Sequence, residues 1–96
     1  MTLHILNRSA FSSATPDDAL RAAVPGDALV LVEDGVYCAL DARWCASLPL
    51  DVAVYVLSED LEARGLGART DARVQTVTVD DFVELTATHS QSISWF

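Results

Sequence analysis

The chain has 96 residues, of which 51% are hydrophobic, and it contains only 4 glycines and 3 prolines. This size and composition predict one packed domain and argue against a second domain or intrinsic disorder. Acidic residues outnumber basic ones 14 to 6, for a net charge of −8, and such a surface repels a phosphate backbone, so direct nucleic-acid binding is not expected.

The basic residues are all arginines. The absence of lysine excludes Schiff-base chemistry and a P-loop lysine. The longest apolar runs cover five or six residues, whereas a membrane-spanning helix needs about 20. The first residues also lack the charged and apolar regions of a signal peptide. We therefore expect a cytoplasmic, soluble protein that does not enter a membrane.

Strands and helices are predicted to alternate from the start of the chain. The first strand covers Leu3–Leu6. A helix then begins at Thr15, which is predicted to be its N-cap because Pro16 and an acidic pair follow it. The next strand, Leu29–Val32, is an uninterrupted apolar run, which is typical of a strand buried on both faces of a parallel sheet.

The stretch from Ala28 to Leu40 contains the most informative pattern. After the second strand, the acidic turn Glu33–Gly35 leads directly into an apolar helix, Val36–Leu40. A strand, a turn and a helix in succession make a βα unit, and function gathers at the carboxyl ends of such strands. This helix is apolar on nearly every side, which predicts that it is covered on more than one side.

The second half of the chain continues the alternation. Its predicted elements are a helical turn with Trp44, Cys45 and Leu48, a strand Val52–Leu57, a helix Ser58–Gly65 capped by Ser58, a strand Val74–Val79, a helix opened by Asp80 and Asp81, and an edge strand Ser92–Phe96. Short connections between such elements imply right-handed crossovers. The fold class is therefore α/β: a three-layer αβα sandwich, with a small, mostly parallel, flavodoxin-like sheet of four to five strands, in a single domain of residues 1–96.

Two apolar features exceed what so small a domain is expected to cover by itself. One is the helix after the second strand, and the other is the aromatic pair at the end of the chain. Both could pack on their own sheet, but together they favour a protein–protein interface. The candidate interface residues are Val36, Tyr37, Leu40, Ile93, Trp95 and Phe96.

Five segments between Leu3 and Phe96 resemble, in order and spacing, the DsrH/TusB family of small sulfur-relay subunits. They are LHILNRSAF, EDGVYCAL, VYVLSEDLEARGL, VDDFVELT and SQSISWF. The most specific marks are Glu33–Val36, Asp60–Gly65 and a terminal tryptophan followed by one apolar residue. The resemblance implies a DsrEFH-like fold and a place beside DsrE/TusD-like and DsrF/TusC-like sister subunits in a heterohexamer. It implies a role in 2-thiolation of the tRNA wobble uridine or, in the Dsr branch, in sulfur oxidation.

A persulfide carrier needs an exposed thiolate stabilised by positive charge or by a helix N-terminus. Cys38, with two acidic residues just upstream, is better interpreted as a buried structural cysteine. Cys45 lies next to Trp44 in an irregular stretch and is predicted to be more accessible, although only Arg43 is near it in sequence to lower its pKa. The resemblance implies that the sulfur-oxidation branch carries a cysteine in the first helix, where this chain has Ala19. It also implies that many Tus-branch members lack a working cysteine in this subunit. A non-catalytic, partner-binding role is therefore favoured over a persulfide carrier that uses Cys38 or Cys45.

The other reactive residues do not form a recognisable site. His4 and His89 have no second ligand at metal spacing, and each acidic pair lies at a predicted helix start, where it stabilises the helix dipole. We expect no metal and no cofactor. The isolated chain is expected to self-associate or to be poorly soluble, and a free-standing homo-oligomer with a small-ligand role at the strand ends is the weaker alternative.

Overall fold

The structure is a computed structural model that describes residues 1–67 and 69–96. Within these residues, five strands form one sheet. In chain order they are β1 (Thr2–Leu6), β2 (Ala28–Leu31), β3 (Ala53–Leu57), β4 (Val74–Val77) and β5 (Gln91–Trp95). Their order across the sheet is β4–β3–β2–β1–β5, and every neighbouring pair is parallel. The last strand therefore lies at an edge of the sheet, as its position and alternation predicted.

Helical segments connect the strands. In chain order they are α1 (Thr15–Ala22), a 3₁₀ helix (Glu33–Leu40), α2 (Ala42–Ala46), α3 (Ser58–Ala63) and α4 (Val79–Thr88). The predicted α/β class and the parallel sheet of the sandwich are confirmed. The apolar helix after the second strand is a 3₁₀ helix that begins at Glu33, so it includes the predicted acidic turn.

The two faces of the sheet are covered unequally. Strands β1 to β4 are neighbours in chain order, so right-handed crossovers place their connecting helices on one face. There, residues such as Ala19, Trp44 and Leu61 form the main hydrophobic core. The return from β4 to β5 places α4 on the other face, where Phe82 and Leu85 pack against a smaller core cluster. Within residues 1–67 and 69–96, α4 is therefore the one helix on that face.

Two of the predicted N-caps are wrong by one residue. Thr15 is already the first residue of α1, and its hydroxyl donates a hydrogen bond to the carbonyl oxygen of Phe96 at 3.2 Å. Ser58 is likewise the first residue of α3, and Leu57 occupies the cap position. The reason at Ser58 is that β3 runs into α3 without a loop, so the last strand residue takes the place of the cap.

The acidic pair Asp80–Asp81 caps a helix, as expected. The hydroxyl of Thr78 accepts a hydrogen bond from the backbone N–H of Asp81 at 3.2 Å, and the carboxylate of Asp81 accepts one from the N–H of Thr78 at 3.0 Å. This reciprocal capping box satisfies two N–H groups that the helix leaves free. It also stops β4 at Val77, before the predicted end at Val79.

Candidate functional site

Two of the three most specific sequence marks, Glu33–Val36 and Asp60–Gly65, contact each other at the carboxyl end of β2. The carboxylate of Asp60 accepts a hydrogen bond from the backbone N–H of Glu33 at 2.6 Å. The guanidinium of Arg64 forms an ion pair with Asp34 at 3.1 Å. Glu33 has a φ of 49°, a left-handed backbone conformation that residues other than glycine rarely adopt. These acidic residues therefore hold a strained turn in place.

Gly35 fixes the start of the 3₁₀ helix against the neighbouring strand. Its N–H donates to the carbonyl oxygen of Val32 at 2.8 Å. A Cβ at this position would overlap the carbonyl oxygen of Leu6 and would lie 2.9 Å from the carbonyl carbon. Only glycine permits this approach, because the obstacle is the backbone of a buried strand. The acidic turn is thereby held beside the end of β1.

Most of the apolar helix is covered by its own chain. Val36 is fully buried, whereas Tyr37 and Leu40 are partly buried and pack against the main core. Val36 is therefore not available to a partner, and its inclusion among the interface residues is corrected. The apolar sequence of this helix had predicted that a partner protein covers part of it. Because the 3₁₀ helix contacts β2, β3, α2 and α3, those elements supply the cover.

The two cysteines are both inside the core. Cys45 is 1% exposed, so the prediction that it is the more accessible of the two is wrong. It lies beside Trp44 on the inner side of α2, and its Sγ donates to the carbonyl oxygen of Cys38 at 3.3 Å. The Sγ of Cys38 donates in turn to the carbonyl oxygen of Arg8 at 3.5 Å. Cys38 is fully buried, as its sequence context suggested.

Their environment keeps both thiols protonated. Burial raises the pKa of Cys38 to about 12, against a smaller lowering by a hydrogen bond from the backbone of Ala10. Burial also raises the pKa of Cys45 to about 11, and the nearby charges of Asp71 and Asp41 add to the effect. The thiolate is the nucleophilic form of cysteine. At neutral pH neither side chain is therefore set up to accept sulfur.

The end of the chain remains open to solvent. Ile93 is 40% exposed and Phe96 is 75% exposed, whereas Trp95 is partly buried against the main core. Phe11, in the loop after β1, is 67% exposed. Phe11 and Phe96 follow neighbouring parallel strands, so both lie at the carboxyl end of the sheet. Phe11 could not be recognised from sequence, because a single aromatic residue in a polar loop has no periodic pattern.

Three residues far apart in the chain form a buried hydrogen-bonded network. The indole N–H of Trp95 donates to Nδ1 of His4 at 3.1 Å. Because an indole nitrogen is only a donor, Nδ1 is the acceptor and the proton of the neutral imidazole is on Nε2. Nε2 then donates to Asp27 at 3.0 Å. The network ties the edge strand to β1 and to the start of β2.

Asp27 is the anchor of this network. Its carboxylate also accepts hydrogen bonds from the backbone N–H groups of Thr2 at 2.9 Å and Val24 at 3.1 Å. Burial raises the pKa of this carboxyl, but the hydrogen bonds from His4 and the two backbone groups outweigh burial and lower the pKa to about 2. The network could not be predicted from sequence, because the partners of His4 follow no local spacing.

No metal centre or membrane segment is found in the part of the chain that the structure describes. Within residues 1–67 and 69–96, His, Cys, Asp and Glu side chains do not assemble in groups of three or more suitable for a metal ion. None of the helices formed by these residues has the length and apolar character required to cross a membrane.

Comparison with known proteins gives consistent matches. The family model described as DsrH like protein matches residues 8–92. The chain is 41% identical over 97 residues to Protein TusB of Escherichia coli O81 (strain ED1a), covering 97% of this chain and 99% of that protein. It is 40% identical over 95 residues to Protein TusB of Salmonella enteritidis PT4, with the same coverage. The crystal structure of the ychN protein from E. coli superposes with a TM-score of 0.82 at 15% identity, covering 97% of each chain.

Proposed function

Because this chain belongs to the DsrH-like protein family, we propose that it is a non-catalytic subunit of a sulfur-relay complex. The observation that carries the proposal is the burial of both cysteines, whose thiol pKa values are raised to about 12 and about 11. A relay subunit that holds a persulfide needs an exposed thiolate. This subunit instead contributes binding surface, and the reactive thiol resides on a sister subunit.

The pathway that we propose is 2-thiolation of the tRNA wobble uridine. The relatives of nearly full length are named TusB, and Ala19 stands where the sulfur-oxidation branch is expected to carry a cysteine. Both features favour the Tus branch over a Dsr-type sulfur-oxidation complex. The net charge of −8 opposes direct contact with tRNA, so the chain acts through its protein partners. The cytoplasm is the compartment that we propose for this complex.

The proposed partners are a DsrE/TusD-like and a DsrF/TusC-like subunit, in a heterohexamer made of two heterotrimers. The surface that we propose for them comprises Tyr37, Leu40, Ile93, Trp95 and Phe96, without the buried Val36. Exposed apolar side chains support this choice, because Ile93 and Phe96 are 40% and 75% exposed at the end of the chain. Large aromatic side chains contribute most strongly to interfaces when a partner buries them.

Phe96→Asp is expected to weaken assembly with the two sister subunits about tenfold or more, because it places a charge where an aromatic side chain would be buried. The isolated chain should stay folded, since Phe96 is 75% exposed. Co-expression of the three subunits, followed by size-exclusion chromatography with light scattering and by titration calorimetry, measures the effect.

Leu50→Asp is the matched control for Phe96→Asp. Leu50 is 91% exposed and precedes β3, at the opposite end of the sheet from Phe96, so the control should leave assembly unchanged. If both variants assemble as the wild type does, the C-terminal surface is not the interface. A wild-type chain that stays monomeric beside the sister subunits would overturn the proposed function itself.

Replacing both cysteines, as Cys38→Ser with Cys45→Ser, is expected to leave sulfur delivery by the assembled complex unchanged. Neither thiol is exposed or ionised at neutral pH, so neither is needed for transfer. Incorporation of labelled sulfur into the wobble uridine of tRNA, in a relay reconstituted from purified components, measures the effect. A second pair, Cys38→Ala with Cys45→Ala, separates loss of the thiol from the cost of burying a hydroxyl. Loss of transfer in both pairs, with assembly intact, would show that this subunit carries sulfur.

A further inference from the structure

The face of the sheet that carries α4 is incompletely covered. Five strands spaced about 4.8 Å apart span about 19 Å, whereas one helix is about 10 Å wide. The side chains of α4 that pack inward, Phe82 and Leu85, contact a cluster centred on Leu3, Ala28 and Val30, which lie on β1 and β2. None of the residues of α4 is buried. Among the residues that the structure describes, none therefore forms a helix over β3 and β4 on this face.

A groove occupies this uncovered surface, and we call it the α4 groove. Its volume is about 310 Å³, and its lining residues are Tyr55, Gln75, Val77, Asp81, Glu84, Leu85 and Thr88. The sheet supplies the floor through Tyr55, Gln75 and Val77. Tyr55 is partly buried and packs against the smaller core cluster, which leaves the rest of its side chain facing the groove. The helix supplies the opposite wall. The groove therefore combines aromatic and apolar side chains with several polar groups, as ligand sites do.

The wall of the α4 groove is acidic. Asp81 already accepts the capping hydrogen bond from Thr78, but Glu84 takes part in none of the ion pairs within the described residues. No basic side chain is among the lining residues. An apolar or acidic occupant would remove water from these carboxylates without compensation, whereas a cation both pairs with them and donates hydrogen bonds. The charge of the groove therefore selects a positively charged occupant.

We propose that the α4 groove is a docking site for an arginine-bearing segment of a sister subunit, an inference that rests on the proposed function. A guanidinium at this position can pair with the carboxylate of Glu84 while its plane lies against the ring of Tyr55. A second copy of this chain is a poor occupant, since it would bring the same carboxylates and a further net charge of −8. The groove is separate from the C-terminal surface, because Ile93 pairs in register with His4, on the face opposite Leu3.

Glu84→Arg is expected to weaken binding to the sister subunits about tenfold, because it replaces an attraction by a repulsion at a charge-selective contact. Glu84→Gln should give a smaller loss and a shallower dependence of affinity on salt. The matched control is Glu62→Arg, an equally exposed glutamate on α3, on the other face of the sheet, and it should bind as the wild type does. Titration calorimetry of each purified variant against the sister subunits measures these affinities, and circular dichroism verifies the fold.

Carbodiimide labelling followed by mass spectrometry provides an independent measurement. Glu84 should be labelled in the isolated chain and protected in the assembled complex, whereas Glu62 should be labelled in both. If the complex forms but Glu84 remains labelled and Glu84→Arg binds as Glu62→Arg does, the groove proposal is overturned and the proposed function stands. If the wild-type chain does not bind the sister subunits at all, both proposals are overturned.

Discussion

Gly35→Ala is expected to destabilise the protein by about 3 kcal/mol or more, at the upper end of the cost of overpacking a core. The added methyl group would overlap the carbonyl oxygen of Leu6. Leu6 is fully buried, and its carbonyl oxygen already accepts a hydrogen bond from the N–H of Val32 at 2.9 Å. Backbone atoms held in this way cannot move aside as a flexible side chain would. Against a typical total stability of about 5–15 kcal/mol, the loss is large.

Urea unfolding of Gly35→Ala, followed by tryptophan fluorescence, measures this loss. Gly67→Ala is the matched control, because a Cβ at Gly67 would meet nothing within 4 Å. The control is expected to unfold at the same urea concentration as the wild type. Equal midpoints for the two variants would show that β1 and the 3₁₀ helix can separate, and the close approach described at Gly35 would then be wrong.

Asp27→Ala is expected to cost about 3–5 kcal/mol, because it leaves two buried donors and one part-buried donor without an acceptor, at about 1–3 kcal/mol for each buried group and less for the other. The donors are Nε2 of His4 and the backbone N–H groups of Thr2 and Val24. His4 would then lose the partner that sets its tautomer. Its Nδ1 would no longer be held as an acceptor for the indole of Trp95, so the edge strand should loosen as well.

The same carboxylate predicts a pH dependence with a defined sign. The pKa of Asp27 is lowered from 3.8 to about 2, so the folded state favours the ionised form. The resulting stabilisation is complete above pH 3.8 and is lost as the pH falls towards about 2. In Asp27→Asn this contribution is absent at every pH.

The difference in unfolding free energy between wild type and Asp27→Asn, measured in urea at a series of pH values, isolates this effect from the other acidic residues. The difference should be constant at neutral pH and should shrink in acid. A difference that does not change down to pH 2 would mean that the network does not depend on the charge of Asp27. Hydrogen exchange at the amides of β5 then tests whether loss of the network loosens the edge strand.

The alternation of strands and helices was predictable because each element carries its own local signal. The uninterrupted apolar run at β2 predicted a strand buried on both faces, and all of its residues are buried. The acidic pair before Phe82 predicted the start of a helix, which a capping box provides. The end of β3 at Leu57 was predicted correctly, but the cap at Ser58 was wrong because β3 continues directly into α3. Leu57 is therefore both the last strand residue and the cap, which the local pattern does not show.

The candidate site was less predictable from sequence. The interface residues were chosen by apolar character, which does not distinguish Val36, now buried, from Phe96, which is 75% exposed. The same limit applies to the cysteines. Cys45 was expected to be accessible because it lies in a segment without a regular pattern, but the helical turn of α2 directs it into the core.

By itself, the sequence determined the α/β class, the order of the elements and the family, since periodicity, capping residues and short motifs act over a few neighbouring positions. Only the tertiary structure decided which apolar side chains remain exposed, that both thiols are buried, and that Trp95, His4 and Asp27 join in one network. It also decided that, within the described residues, α4 leaves part of one face open as an acidic groove. The physical reason is that burial, pKa and hydrogen bonding depend on the neighbours that the sheet order brings together, and those neighbours are far apart along the chain.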